Sequence, residues 1–134
     1  MKQLLFAVLT SLTLMSCGFD DNQNVYLEIV PVSVIEMPTK YKVDSITQIP
    51  ISYIRPTVCH QFSNFYYNSI GNERTVAVYC LTNGQQNCAA STNEITVPLN
   101  FKPKAIGTYN FRFWTGEDDN GVNQYMEYEI TVDH

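Results

Sequence analysis

Residues 107–132, GTYNFRFWTGEDDNGVNQYMEYEITV, decide the fold class. Apolar side chains occupy every second position on both sides of a polar centre. They are Tyr109, Phe111 and Phe113 before it, and Met126, Tyr128, Ile130 and Val132 after it. A period of two is typical of β-strands with one buried face, whereas a helical face repeats every three to four residues. Asn120-Gly121 in the polar centre is a strong hairpin signal, so the stretch predicts two antiparallel strands joined by a loop.

The same alternation extends outward through the chain from residue 25. It predicts further strands in five ranges: 25–35, 49–53, 58–67, 73–81 and 95–101. Pro31 removes one ladder hydrogen bond from the first range, which indicates an edge position or a bulge where the chain changes sheets. About seven strands at this spacing predict an all-β antiparallel sandwich of immunoglobulin or fibronectin-III type over residues 25–134. An up-and-down barrel is the alternative.

Length and charge narrow the function classes. The chain has 134 residues, enough for one domain of ordinary size. Its 8 basic and 13 acidic residues give a net charge of −5, with no basic run. A nucleic-acid-binding protein needs clustered Lys and Arg to displace counterions from phosphates, so nucleic acid is excluded as a partner.

The N-terminus predicts export. Residues 4–15 carry no charge and would span about 18 Å as a helix, short of the ~30 Å hydrocarbon core of a bilayer. We therefore interpret residues 1–16 as a signal peptide. The sequence Leu14-Met15-Ser16-Cys17 resembles the bacterial lipoprotein box. This resemblance implies a lipid anchor on Cys17, with residues 17–24 as a tether. An ordinary secretory signal is the alternative.

Several motifs resemble a group of small Bacteroidota lipoproteins of unknown role with an immunoglobulin-like domain. They are Cys-His-x-Phe from Cys59, Asn-x-Arg-Thr-Val-Ala-Val from Asn72, Phe-Lys-Pro from Phe101 and Gly-Thr-Tyr-x-Phe-x-Phe-Trp-x-Gly from Gly107. The resemblance implies an outer-membrane location and brings no catalytic residues. It leaves open which leaflet holds the anchor. Gly107-Thr108-Tyr109 also resembles the tyrosine corner of immunoglobulin-like sandwiches.

The remaining cysteines predict one disulfide, because exported proteins mature in an oxidising compartment. Cys59 and Cys88 both lie where an apolar strand meets a polar loop, so we expect them to pair. Cys80 is in register with Val76 and Val78 and is expected to be a buried free thiol. A Cys80–Cys88 bridge across a hairpin at Asn83 is the alternative.

Catalytic and metal-binding patterns are absent from the sequence. Cys59 and His60 are adjacent, and adjacent strand residues point to opposite faces, so they do not form a metal pair. No nucleophile–base set or phosphate-binding glycine loop occurs. The chain is therefore predicted to be neither an enzyme nor a cofactor carrier.

Two candidate binding features remain. The first is an ion-binding loop at Glu117, Asp118 and Asp119, where carboxylates suit Ca²⁺, although a solvated hairpin has the same composition. The second is an aromatic patch in which alternation places Phe62 and Tyr66 outward and Phe65 and Tyr67 in the core. We thus expect a lipid-anchored outer-membrane protein whose sandwich binds an envelope protein or a glycan. A structural accessory subunit of an envelope complex, such as a glycan-uptake complex, is the alternative.

Overall fold

A computed structural model describes residues 24–83 and 87–134. The predicted signal peptide, Cys17 and nearly all of the predicted tether lie outside the described residues. The described part contains nine β-strands and no helix. The strands are β1 (Tyr26–Val30), β2 (Val32–Ile35), β3 (Tyr41–Lys42), β4 (Thr47–Ile54), β5 (Gln61–Ile70), β6 (Glu73–Thr82), β7 (Glu94–Phe101), β8 (Gly107–Glu117) and β9 (Asn123–Asp133). The all-β prediction is confirmed.

The strands form two sheets. The larger has six strands in the order β1-β6-β8-β9-β3, with β5 also paired to β6. The smaller has three antiparallel strands in the order β2-β4-β7. Pro31 separates β1 from β2, and the chain changes sheets there, as the sequence predicts. This change, together with the two-residue β3, explains why nine strands are present rather than about seven.

One core lies between the two sheets. Phe101 from the smaller sheet packs edge-on against Phe111 of the larger sheet, with ring centres 4.9 Å apart. Phe111 also stacks on Phe113 at 5.8 Å, and neither residue is exposed. The inward positions predicted for β6, β8 and β9 belong to this core or pack against it. A sandwich-like arrangement follows from these contacts, because both sheets bury one face against the same cluster.

The pairing of the larger sheet differs from the fully antiparallel arrangement that we expect from the sequence. β6 pairs in parallel with β8, and β3 pairs in parallel with β9. β5 and β6 form an antiparallel hairpin, and β6 rather than β5 lies beside β8. The strand next to β8 therefore runs parallel to it. Pairing between distant strands has no local sequence signal, so alternation alone does not predict it.

The predicted corner residue Tyr109 is buried and makes the contact typical of a tyrosine corner. Its hydroxyl donates a hydrogen bond to the carbonyl oxygen of Ala105 at 2.9 Å. The hydroxyl thereby ties the start of β8 to the loop just upstream. The Arg74 guanidinium carbon also lies 5.0 Å from the centre of the Tyr109 ring.

Candidate functional site: a groove on the outer face of the larger sheet

The outer face of the larger sheet, which points away from the core, contains a groove of about 330 Å³. Five strands contribute its lining residues: Ile29 from β1, Tyr66 from β5, Thr75 and Ala77 from β6, Trp114 and Glu117 from β8, and Asn123 and Tyr125 from β9. We call this feature the outer-face groove. It combines three aromatic side chains with a carboxylate, an amide and a hydroxyl.

The sheet topology explains why the groove forms there. β5 covers one side of β6, while β1 and β8 share the other side. The pairing with β8 ends at Val76, and the pairing with β1 begins at Val78. Ala77 therefore lies at the junction, and its small side chain leaves space between the larger residues of the flanking strands.

Neighbouring side chains fix the aromatic rings of the groove. Trp114 lies opposite Tyr125 in the β8–β9 register, and its indole N–H donates to Asn123 Oδ1 at 2.9 Å. The Arg112 guanidinium carbon lies 4.1 Å from the centre of the Tyr125 ring. Arg112 Nε in turn donates to Glu127 Oε1 at 2.9 Å. Both rings are thus held in place before any ligand arrives.

A β-bulge shapes the end of the groove. The β8–β9 register shifts between Trp114 and Gly116. Gly116 has a φ of +116°, which favours glycine, and a Cβ there would lie 3.6 Å from Pro31 Cγ. Bulges redirect neighbouring side chains, and this one lies between the two groove residues of β8, Trp114 and Glu117.

The structure agrees with the outward position predicted for Tyr66 but not with the one predicted for Phe62. Tyr66 is 40 % exposed, lines the outer-face groove and packs edge-on against Tyr79 at 6.2 Å. The outward position predicted for Phe62 is wrong, because Phe62 packs inward against Tyr53 at 6.5 Å and Phe65 at 5.0 Å. A bulge between Phe62 and Asn64 adds one residue to β5 and reverses the alternation before it.

The opposite end of this aromatic run also departs from the prediction. Tyr67 has the same strand parity as the inward-packed Phe65, yet it is 42 % exposed rather than buried in the core. Its position on an edge strand explains the exposure, because no further described strand lies beside β5.

The acidic loop is held closed by its own hydrogen bonds. The Asp118 carboxylate accepts hydrogen bonds from the backbone N–H groups of Asn120 and Val122, both at 2.9 Å. This leaves Asp118 occupied within its own loop. Within residues 24–83 and 87–134, no group of three His, Cys, Asp or Glu side chains is placed to hold a metal ion. Asp118 thus makes its hydrogen bonds within the loop, and Glu117 lines the outer-face groove.

The disulfide prediction is confirmed. Cys59 and Cys88 are bonded, with Cα atoms 5.7 Å apart, so the alternative Cys80–Cys88 bridge is wrong. Cys80 is free and fully buried, as its register with Val76 and Val78 indicates. Burial raises the pKa of the Cys80 thiol, although a hydrogen bond with Tyr53 opposes this shift. A buried thiol held in its protonated form is a poor nucleophile.

His60 belongs to a hydrogen-bonded chain that the sequence does not reveal. Its Nδ1 lies 2.7 Å from Thr57 Oγ1, and its Nε2 lies 2.9 Å from Glu28 Oε2. The same Thr57 hydroxyl oxygen accepts a hydrogen bond from the backbone N–H of Cys59 at 3.2 Å. His60 is buried, and none of these residues lines the outer-face groove. This hydrogen-bonded chain of side chains therefore ties the disulfide loop to β1.

The described ranges contain no helix long and apolar enough to cross a membrane. Comparison with protein-family models, with curated proteins and with solved structures finds no match to this chain.

Proposed function

We propose that this chain is a lipid-anchored protein of the bacterial outer membrane whose immunoglobulin-like sandwich binds a glycan without catalysing a reaction. The anchor rests on the lipoprotein-box sequence that ends at Cys17. The immunoglobulin-like fold is supported by the two sheets around one core and by the tyrosine-corner contact of Tyr109. The observation that carries the binding function is the outer-face groove.

The side chains of the groove suit a sugar ring. A pyranose has an apolar C–H face and a rim of hydroxyl groups, so it needs aromatic faces next to polar side chains. Tyr66, Trp114 and Tyr125 supply the aromatic faces, while Glu117 and Asn123 supply hydrogen-bonding groups. The volume of about 330 Å³ lies at the small end of ligand pockets, which fits one or two sugar units.

The same groove lacks the groups for glycoside hydrolysis. Most glycosidases place two carboxylates on either side of the bond that they cleave. Among the described residues that line the groove, Glu117 is the one carboxylate. This favours binding over turnover.

Binding to a panel of bacterial-surface and plant polysaccharides tests the groove. We expect Trp114→Ala to weaken glycan binding at least about tenfold, because one lost aromatic contact of this kind is worth ~1.4 kcal/mol or more. The matched control is Tyr26→Ala, which removes an aromatic residue that is 51 % exposed on β1 and outside the groove. Equal affinities for the two variants, or no binding to any glycan of the panel, would contradict the proposal.

Fractionation of cells that express the full chain tests the anchor. We expect Cys17→Ala to move the protein from the membrane fraction to the soluble fraction, because the acyl chains on Cys17 hold it to the bilayer. Cys80→Ala also removes one thiol but leaves the lipoprotein box intact, so it should remain in the membrane fraction. A Cys17→Ala variant that stays with the membrane would show that another feature anchors the chain.

A structural accessory role is the second candidate, favoured by apolar residues beside the groove. Leu27 lies opposite Leu81 in the β1–β6 register, and the two are 52 % and 39 % exposed. Ile29, two residues along the same face, is 39 % exposed. An adjoining apolar surface of this kind suits a protein partner. Crosslinking followed by purification would then recover a stoichiometric envelope protein.

A further inference from the structure

The edges of the two sheets differ in how they are protected against pairing with another chain. β7 carries Glu94 and Pro98, and the two-residue β3 carries Lys42. β2 has four residues, follows Pro31 and contains a register shift. Charge, proline, irregular register and short length all discourage a further strand from adding to an edge.

β5 is an edge strand that lacks these protective features over most of its length. Its ten residues, QFSNFYYNSI, include no charged residue and no proline. Among the described strands it pairs with β6 alone. The bulge between Phe62 and Asn64 disturbs one end, but residues 64–70 pair with β6 in unbroken register. On the side away from β6, this segment presents backbone N–H and C=O groups that no described strand pairs with, and the Phe65 carbonyl accepts a hydrogen bond from Asn64 Nδ2 at 3.4 Å.

We propose that two copies of this chain associate by antiparallel pairing of β5 with β5, which joins their larger sheets into one. A twofold axis perpendicular to the sheet places the outer face of one copy next to the outer face of the other. We place the axis at Tyr66, so that Tyr66 faces its counterpart and Asn64 lies opposite Asn68 of the other copy on that face. Phe65 and Tyr67 meet on the opposite face.

The uncharged β5 is an edge at which a second copy of this acidic chain meets no facing charge on the strand. The chain has a net charge of −5, so two copies repel each other over most of their surfaces. β5 has no charged residue, and like charges therefore do not oppose each other directly when it pairs with itself. The backbone hydrogen bonds made along residues 64–68 supply attraction that does not depend on side-chain chemistry.

The pairing has a consequence for the outer-face groove, which rests on the proposed function. Tyr66 lies on β5 and lines the groove, so association places two grooves on the same face of a continuous sheet. A polysaccharide that spans both grooves binds with higher avidity than one that occupies a single groove. The association itself does not depend on glycan binding.

Co-purification of two differently tagged full-length copies in mild detergent tests the pairing. Wild-type copies should co-purify, whereas Asn64→Lys/Asn68→Lys copies should lose at least about tenfold in recovery, because like charges then face each other across the axis. Asn64→Asp/Asn68→Asp copies should fail in the same way. A mixture of the Lys and Asp variants should restore co-purification. The matched control, Asn100→Lys/Thr108→Lys, adds the same charge at exposed positions of β7 and β8 and should behave like the wild type.

Thermal unfolding of each variant separates loss of pairing from loss of folding. The proposal requires midpoints close to that of the wild type. It is overturned if wild-type copies do not co-purify, if the Lys variant co-purifies like the wild type, or if folded Lys and Asp variants fail to recover each other. Glycan binding by a variant that no longer associates would leave the proposed function intact, so the two proposals fail separately.

Discussion

We expect the Phe111→Ala variant to lose about 4 kcal/mol of the free energy of unfolding, the largest effect of any substitution considered. Phe111 has no exposed surface and joins the two sheets through its edge-on contact with Phe101. Removing its ring leaves a cavity that the rigid faces of two sheets fill poorly. Most single domains have only ~5–15 kcal/mol of stability, so the variant should unfold at much lower urea concentrations.

Urea denaturation followed by far-UV circular dichroism measures this loss. The control is Leu27→Ala, which removes an apolar side chain that is 52 % exposed on the same sheet and should cost less than ~1 kcal/mol. Similar midpoints for the two variants would contradict a core between these sheets.

Loss of the disulfide should have the second largest effect. Cys59 and Cys88 are 29 residues apart. In the chain-entropy model, closing a loop of that size lowers the entropy of the unfolded chain and stabilises the folded state by about 3.5 kcal/mol. We therefore expect Cys59→Ser/Cys88→Ser to be less stable than the wild type by roughly this amount. Denaturant unfolding with and without a thiol reductant makes the measurement.

Cys80 provides the control for the disulfide experiment. A reductant should destabilise the wild type and a Cys80→Ala variant to the same extent, and it should not affect Cys59→Ser/Cys88→Ser. A Cys80→Ala variant that no longer responds to the reductant would show that Cys80 takes part in the bridge.

Local patterns predict the local parts of this fold well. The alternation in residues 107–132 predicts β8 and β9, and it correctly assigns Phe111, Phe113 and Ile130 to the core. Pro31 predicts the change of sheets because proline has no N–H to donate to the ladder, which is a property of that single residue. Cys59 and Cys88 follow from their positions at strand–loop boundaries.

Features that depend on more distant parts of the chain are not predicted. The parallel pairing of β6 with β8 joins residues 37 positions apart, and no local signal specifies its direction. The bulge in β5 adds a single residue and thereby reverses the side of Phe62. For β5 and β6, alternation correctly identifies the strand but does not specify how it pairs with its neighbour.

The outer-face groove could be found only in part from the sequence. The sequence predicts Tyr66 and Glu117 as candidate residues of two unrelated features, and the structure brings them together at one groove. Trp114 and Tyr125 were missed. A signal for both exists in the alternation, because each occupies an outward position where a polar residue is more usual.

The fluorescence of Trp114 tests the binding role of the groove most directly, because it is the single tryptophan of the chain. Titration of the folded protein with a glycan that it binds should change the emission of Trp114 and protect it from acrylamide quenching, and both effects should saturate with calorimetric binding. A glycan that binds by calorimetry but leaves the emission and the quenching of Trp114 unchanged would place the binding site elsewhere and contradict the account.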